Sequence, residues 1–159
     1  MIKQMLFRGL LEEAIKQEEA AYTLYQSALH VVSEPHVIKL LKTLMAGELQ
    51  HKLKLEELQQ RGELAKQPVN DVIPDGVSLI QDEHLEDFSL RLLPGMSCRE
   101  ILSIALLKEQ QAARQYSRLS ERARFSLAQN LFCVLSYEET QHVAWIQKQL
   151  TTYSTESST

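Results

Sequence analysis

The chain has 159 residues, a net charge of −4 and a hydrophobic content of 44%. Leu, Glu, Gln, Ala, Lys and Arg make up more than half of it, with only five Gly and four Pro between them, which favours helix and excludes collagen-like, low-complexity and disulfide-scaffold classes. The acidic balance leaves no basic footprint for nucleic acid, and the longest apolar run, Leu131 to Leu135, is far short of the ~20 residues that span a membrane.

Four stretches free of interior proline carry apolar residues at 3-and-4 spacing and read as helices. The first covers Lys3 to Val32. Ser33-Glu34-Pro35 ends it and offers the next helix a cap and an early-turn proline. The second covers Glu34 to Arg61, with Gly62 as its stop. Residues 62–97 then hold Pro68, Pro74 and Pro94 and form a 36-residue connection, with room for a short helix over 78–92. Antiparallel neighbours in a bundle need only ~2–8 residues, so this length suits a crossover that runs the full height. The third helix opens on Ser97-Cys98-Arg99-Glu100, a capping-box pattern, and runs to Glu121. The fourth covers Arg124 to Thr152, leaving a polar tail over 154–159 that is expected to fray. The expectation is one all-α domain over residues 1–159: a four-helix bundle with one long crossover between helices two and three.

Residues 8–51 laid on 99–142, an offset of 91, coincide at eleven of 44 positions. Placement matters more than number. Arg8, Leu11, Ala14, Glu18, Ala21 and Tyr25 meet Arg99, Leu102, Ala105, Glu109, Ala112 and Tyr116, a single helical face in each half. Leu40, Leu44, Glu48 and His51 meet Leu131, Leu135, Glu139 and His142. Two helical hairpins have kept one inward stripe.

That stripe carries charge where a bundle needs leucine. Glu18 and Glu48 are each 15 residues from position 33, and Glu109 and Glu139 are each 15 from position 124. At ~1.5 Å per residue each pair is level across its hairpin. Four carboxylates and two imidazoles thus converge on one layer. Unpaired buried charge costs several kcal/mol per ion, and two divalent cations would neutralise four carboxylates. Glu-x-x-His puts a carboxylate and an imidazole on one helix face. With 17 Glu and 5 His, about 0.5 such matches arise by chance on solvated helices. Two in repeat register, each level with a core-phased Glu, are a different matter. The metal ligands are therefore expected to be Glu18, Glu48, His51, Glu109, Glu139 and His142, with iron or manganese favoured by the mixed oxygen and nitrogen donors and zinc also possible. Without cations, mutual repulsion is expected to raise the pKa of the four carboxylates.

Neighbouring residues have plainer readings. Glu19 and Glu138 adjoin two of the ligands and would replace them if the helical phase were off by one. Tyr25 and Tyr116 are expected to donate hydrogen bonds to metal-bound carboxylates, core packing being the alternative. His30, His36 and His84 read as surface histidines, and Trp145 as packing. Cys98 and Cys133 form no CxxC pair, and the opening MIKQMLFRGLLEEAI has no secretory core. Free thiols and a cytoplasmic location are expected, with no nucleic acid and no membrane as partners.

Ala14-x3-Glu18-x6-Tyr25 with Glu48-x-x-His51, and Ala105-x3-Glu109-x6-Tyr116 with Glu139-x-x-His142, resemble the rubrerythrin branch of the ferritin-like superfamily. The match spans all four helices. The resemblance implies the ferritin-like bundle, a non-haem centre of two iron ions, reduction of hydrogen peroxide or dioxygen, and a homodimer. Two departures qualify it. The paired CxxC motifs of a rubredoxin-like module are missing, which implies a separate electron donor such as a rubredoxin-like protein. Ala112 stands where rubrerythrins have an extra carboxylate. Ferroxidase activity with iron handling, and a metal-stabilised structural module, are the alternative functions.

Overall fold

The computed structural model describes residues 2–64, 92, 95–123 and 126–156. They form four α-helices: α1 (Ile2–Ala28), α2 (Pro35–Leu64), α3 (Cys98–Arg122) and α4 (Ser126–Glu156). Among the described residues no helix is long and apolar enough to cross a membrane.

The helix ends follow local chemistry, and some correct the sequence reading. α1 stops at Ala28 rather than Val32. Its last turn tightens, with the amides of His30 and Val31 donating to the carbonyls of Ser27 and Ala28, an i to i−3 pattern. The β-branched Val31 and Val32, followed by a pre-proline residue, do not support another α turn. Gly62 does not end α2, which continues to Leu64. A glycine inside a helix costs only ~1 kcal/mol relative to alanine and stops nothing by itself. α3 begins as read: Ser97 accepts from the Glu100 amide and the Glu100 carboxylate accepts from the Ser97 amide. Gly95, at φ +90°, makes the turn into that cap, a conformation glycine adopts freely. α4 starts at Ser126 and continues to Glu156, so the first residues assigned to a frayed tail have helical backbone. The short helix read over 78–92 falls on residues outside the described ones, except Leu92.

Contacts fix the direction of each helix. Glu18 and Glu19 of α1 face His51 and Lys52 of α2, and Ser136 of α4 donates to the Ala113 carbonyl of α3. Leu24 and Ala28 gather with Val37 and Leu41 while Leu11 and Ala14 gather with Leu55 and Leu58, and Ala113 meets Ser136 while Glu109 meets His142, so both hairpins are antiparallel. Between hairpins, Tyr25 of α1 meets Glu109 of α3 while Tyr116 meets Glu18, so α1 and α3 are antiparallel too. α2 and α4 are antiparallel likewise, since His51 and Lys54 face Glu139 and Glu138 while Glu48 faces His142. α2 and α3 therefore point the same way. Leu64 ends α2 at one end of the bundle, and Cys98 opens α3 against Glu34 at the other. The crossover read over 62–97 falls mostly on residues outside the described ones, and its two ends lie at opposite ends of the bundle.

The core comes in two apolar parts. One gathers around Leu24, Val37, Leu41, Leu44, Leu102 and Ile146. The other gathers around Leu11, Leu55, Leu58, Leu119, Phe132 and Leu135. Between them lies a layer of charge.

Candidate metal centre

Glu18, Glu48, His51, Glu109, Glu139 and His142 all reach that layer, and each is buried to 4% exposure or less. Among the described residues they are the buried polar and charged side chains. Each helix brings its share because the inward stripe recurs every three or four residues. α1 and α3 each contribute one carboxylate, and α2 and α4 each contribute Glu-x-x-His.

The six form two overlapping groups. Glu18, Glu48, His51 and Glu139 bring one ligand atom apiece within 4.8 Å of one another, and so do Glu48, Glu109, Glu139 and His142. Glu48 and Glu139 belong to both. His51 Nδ1 lies 3.0 Å from Glu139 and 3.6 Å from Glu18. His142 Nδ1 lies 3.0 Å from Glu109, 3.1 Å from Glu139 and 3.2 Å from Glu48. The imidazoles stack, centroids 5.4 Å apart. The tyrosines cross between hairpins: Tyr25 donates to Glu109 and Tyr116 to Glu18. Each hydroxyl thus satisfies a buried carboxylate oxygen of the opposite hairpin.

The electrostatics follow from this packing. Burial, with the charges of Glu109 and Glu139, pushes the Glu48 carboxyl up. Burial also raises Glu109, to about 8. For Glu139 burial works the same way, but the imidazoles of His142 and His51 outweigh it and hold the group down to about 2. The expectation that all four carboxylates would be raised fails here, because Glu139 is the carboxylate both imidazoles touch. Burial opposes the charged form of each ring, yet the carboxylates prevail: Glu139 and Glu18 lift His51 to about 9, and Glu109, Glu139 and Glu48 lift His142 to about 12.

These donors fit a metal. Four carboxylates and two imidazoles are hard and borderline ligands of the kind that hold iron, manganese or zinc. The buried Glu48 Oε1 lies 3.2 Å from His142 Nδ1 but makes no hydrogen bond, which leaves an acceptor of the kind a cation satisfies. The buried Glu/His groups could therefore hold a metal ion.

The structure also places the residues around the six. Glu19 points outward to Lys52, so the helical phase read from the repeat is the right one. His30 and His36 are exposed; His84 lies outside the described residues. Trp145 packs beside the layer rather than in the core: it is 42% exposed and its ring lies 5.4 Å from that of His142. Cys98 and Cys133 are free thiols. Cys98 meets the Glu34 carboxylate, and burial together with Glu34 pushes its thiol up to about 11.

One functional contact was missed. Glu138, considered only as a substitute ligand, lies outside the layer with one oxygen 3.0 Å from His51 Nε2. Lys54 Nζ grips the same carboxylate at 2.7 and 2.9 Å. The signal available was the repeat itself, which pairs Glu138 with Gly47 and Trp145 with Lys54.

The chain matches no family model, no curated protein sequence and no solved structure.

Proposed function

We propose that the chain is a non-haem di-iron protein of rubrerythrin-like, ferritin-like kind, redox-active toward hydrogen peroxide or dioxygen. The observation that carries this reading is the pair of overlapping, buried Glu/His groups. Glu18 and His51 would complete one metal position and Glu109 and His142 the other, with Glu48 and Glu139 held in common. When bound, two iron ions would supply the two electrons that reduction of peroxide to water consumes. The chain's own part is to gather four carboxylates whose full ionisation two divalent cations would balance. Tyr25 and Tyr116 orient two of the carboxylates. The apolar residues on both sides of the layer keep bulk water from them.

Two cysteines are too few for a rubredoxin-type iron, which takes four thiolates. We therefore infer that electrons reach the centre from outside these 159 residues, for example from a rubredoxin-like protein, and the resemblance to rubrerythrins implies a homodimer as the working unit. Reconstitution with ferrous ion under anaerobic conditions, followed by elemental analysis and separate challenges with peroxide and with dioxygen, tests the reading. The expected result is two irons per chain and consumption of peroxide by the reduced protein. Iron well below one per chain would overturn the metal assignment; loaded protein inert to both oxidants would overturn the redox assignment alone.

A further inference from the structure

The repeat that builds the layer breaks immediately behind it. Position 138 carries a glutamate and its counterpart, position 47, a glycine; position 54 carries a lysine and its counterpart, position 145, a tryptophan. These four residues meet in two places on the α2–α4 face. On one side Lys54 holds Glu138, and Glu138 reaches His51 Nε2 at 3.0 Å. On the other, Gly47 lies so close to His142 that a Cβ there would fall 2.7 Å from Cε1 and 2.8 Å from Nε2. No side chain fits at position 47 unless the ring shifts. The ring is hemmed in, with oxygens of three carboxylates within 3.2 Å of its Nδ1 and the Trp145 ring centred 5.4 Å from its own.

A carboxylate on the far nitrogen of a ligating histidine fixes its tautomer, orients its ring and makes the near nitrogen a stronger donor. His51 has that support. Among the described residues, the matching place behind His142 is taken by Gly47, with the half-exposed Trp145 beside the ring. We propose that the two metal positions are inequivalent: Glu138, anchored by Lys54, is a positioning residue that makes the His51 position the tighter one, and Gly47 leaves the His142 position weaker and exchangeable. The ligand class at both is a divalent transition-metal cation, and the inference rests on the metal-centre reading above.

Zinc, which has no redox chemistry, is the probe. Calorimetric titration of the metal-free protein is expected to resolve two binding steps at least tenfold apart. Glu138→Gln keeps a similar shape but removes the charge, and should weaken the tighter step about 10–100-fold while leaving the weaker one nearly unchanged. Gly47→Ala should do the reverse. Imidazole ¹H–¹⁵N spectra of the zinc-loaded protein supply a readout that a merely structural role would not move. His51 Nε2–H should give a downfield, slowly exchanging signal that Glu138→Gln abolishes. If Gly47→Ala fails to fold, Glu138→Gln and the spectra decide. Two equal steps in the unaltered protein, or a Glu138→Gln variant that weakens both steps alike or neither, would overturn the inequivalence. An unaltered protein that binds no zinc at all would instead overturn the metal-centre reading itself.

Discussion

The α1–α2 and α3–α4 hairpins present the same metal-ligating residue types to the middle of the bundle and, apart from Arg8/Arg99 and Gln50/Gln141, largely different residues on the outside. Glu18, Glu48 and His51 in one are matched by Glu109, Glu139 and His142 in the other, all buried. Behind the layer the halves part, with Gly47 and Lys54 against Glu138 and Trp145. They also turn differently: residues 29–34 join the first pair of helices and residues 123–125 the second. The difference shows where the constraint lies. A buried ring of charge tolerates no unmatched member, because breaking a buried pair costs about 3–5 kcal/mol, whereas partly exposed positions are free to diverge.

Removing members of the layer is the strongest way to break the comparison. Glu48 and Glu139 each belong to both groups, so Glu139→Ala should abolish loading of both metals. Glu18→Ala and Glu109→Ala should each cost one position and resemble one another in metal content. Glu12→Ala and Glu121→Ala, both outside the layer and exposed, should leave metal content unchanged. Elemental analysis after reconstitution checks all five. A Glu12→Ala variant as damaged as Glu18→Ala would mean that the layer is not what binds.

The next test uses equivalent positions that titrate in opposite directions. Glu48 is raised by burial and by Glu109 and Glu139, while Glu139 is held down to about 2 by the two imidazoles despite burial. In the metal-free chain Glu48, Glu109, His51 and His142 all bind a proton more tightly folded than unfolded. Their contribution is complete below the unfolded values of 4.5 and 6.5 and is lost as pH rises through the folded ones, about 8 for Glu109 and about 9 for His51. Glu139 has the opposite sign: its contribution is present above 4.5 and lost as pH falls towards about 2. Chelated protein should therefore be most stable near pH 4.5 and lose stability as pH rises from there towards about 9. Metal-loaded protein should lose stability as pH falls through that range, because protons compete for the ligands. Thermal melts with chelator and with metal decide it. Parallel curves would mean that the six residues do not share one site.

The interior half of this comparison is legible in the sequence, and the outer half is not. The stripe of Leu11, Ala14, Glu18, Ala21 and Tyr25 is written at 3-and-4 spacing, which is a local property of one helix. So is the cap at Ser97. The six-residue layer needed only the repeat and two turn positions to bring it level. Glu138 is different, since its role depends on the register of α4 against α2, which no local pattern encodes. The same is true of the lowered Glu139, which required knowing that both imidazoles face one carboxylate. Gly62 misled because a glycine weakens a helix without by itself ending it.

A smaller effect separates the tyrosines. Each hydroxyl crosses to the other hairpin, so Tyr25→Phe and Tyr116→Phe remove matching bonds, to Glu109 and to Glu18 respectively. Leaving a buried acceptor unsatisfied costs about 1–3 kcal/mol. Both variants should lose stability in that range in denaturant titrations of the metal-free protein. Similar losses would support a symmetric interior. A loss confined to one variant would show that the tyrosine pair, like the pair behind the histidines, has diverged.

The mildest test concerns a feature that one hairpin has and the repeat does not require. Ser97 caps α3 by accepting from the Glu100 amide, and Glu100 returns the bond to the Ser97 amide. The offset of 91 places Leu6 opposite Ser97, a position inside α1, where no helix begins. The cap is thus a local device for starting α3 after the long connection. Those bonds also hold the Glu100 carboxylate below its usual range. Ser97→Ala removes the acceptor and returns one orphan amide to water, a loss of about 0.5–2 kcal/mol. Twelve residues separate it from Glu109, some 18 Å of helix at 1.5 Å per residue. The melting temperature of the variant should therefore fall while its metal content stays that of the unaltered protein. If metal content fell as well, the start of α3 would be setting the height of Glu109, and the two hairpins would depend on their ends as much as on their shared stripe.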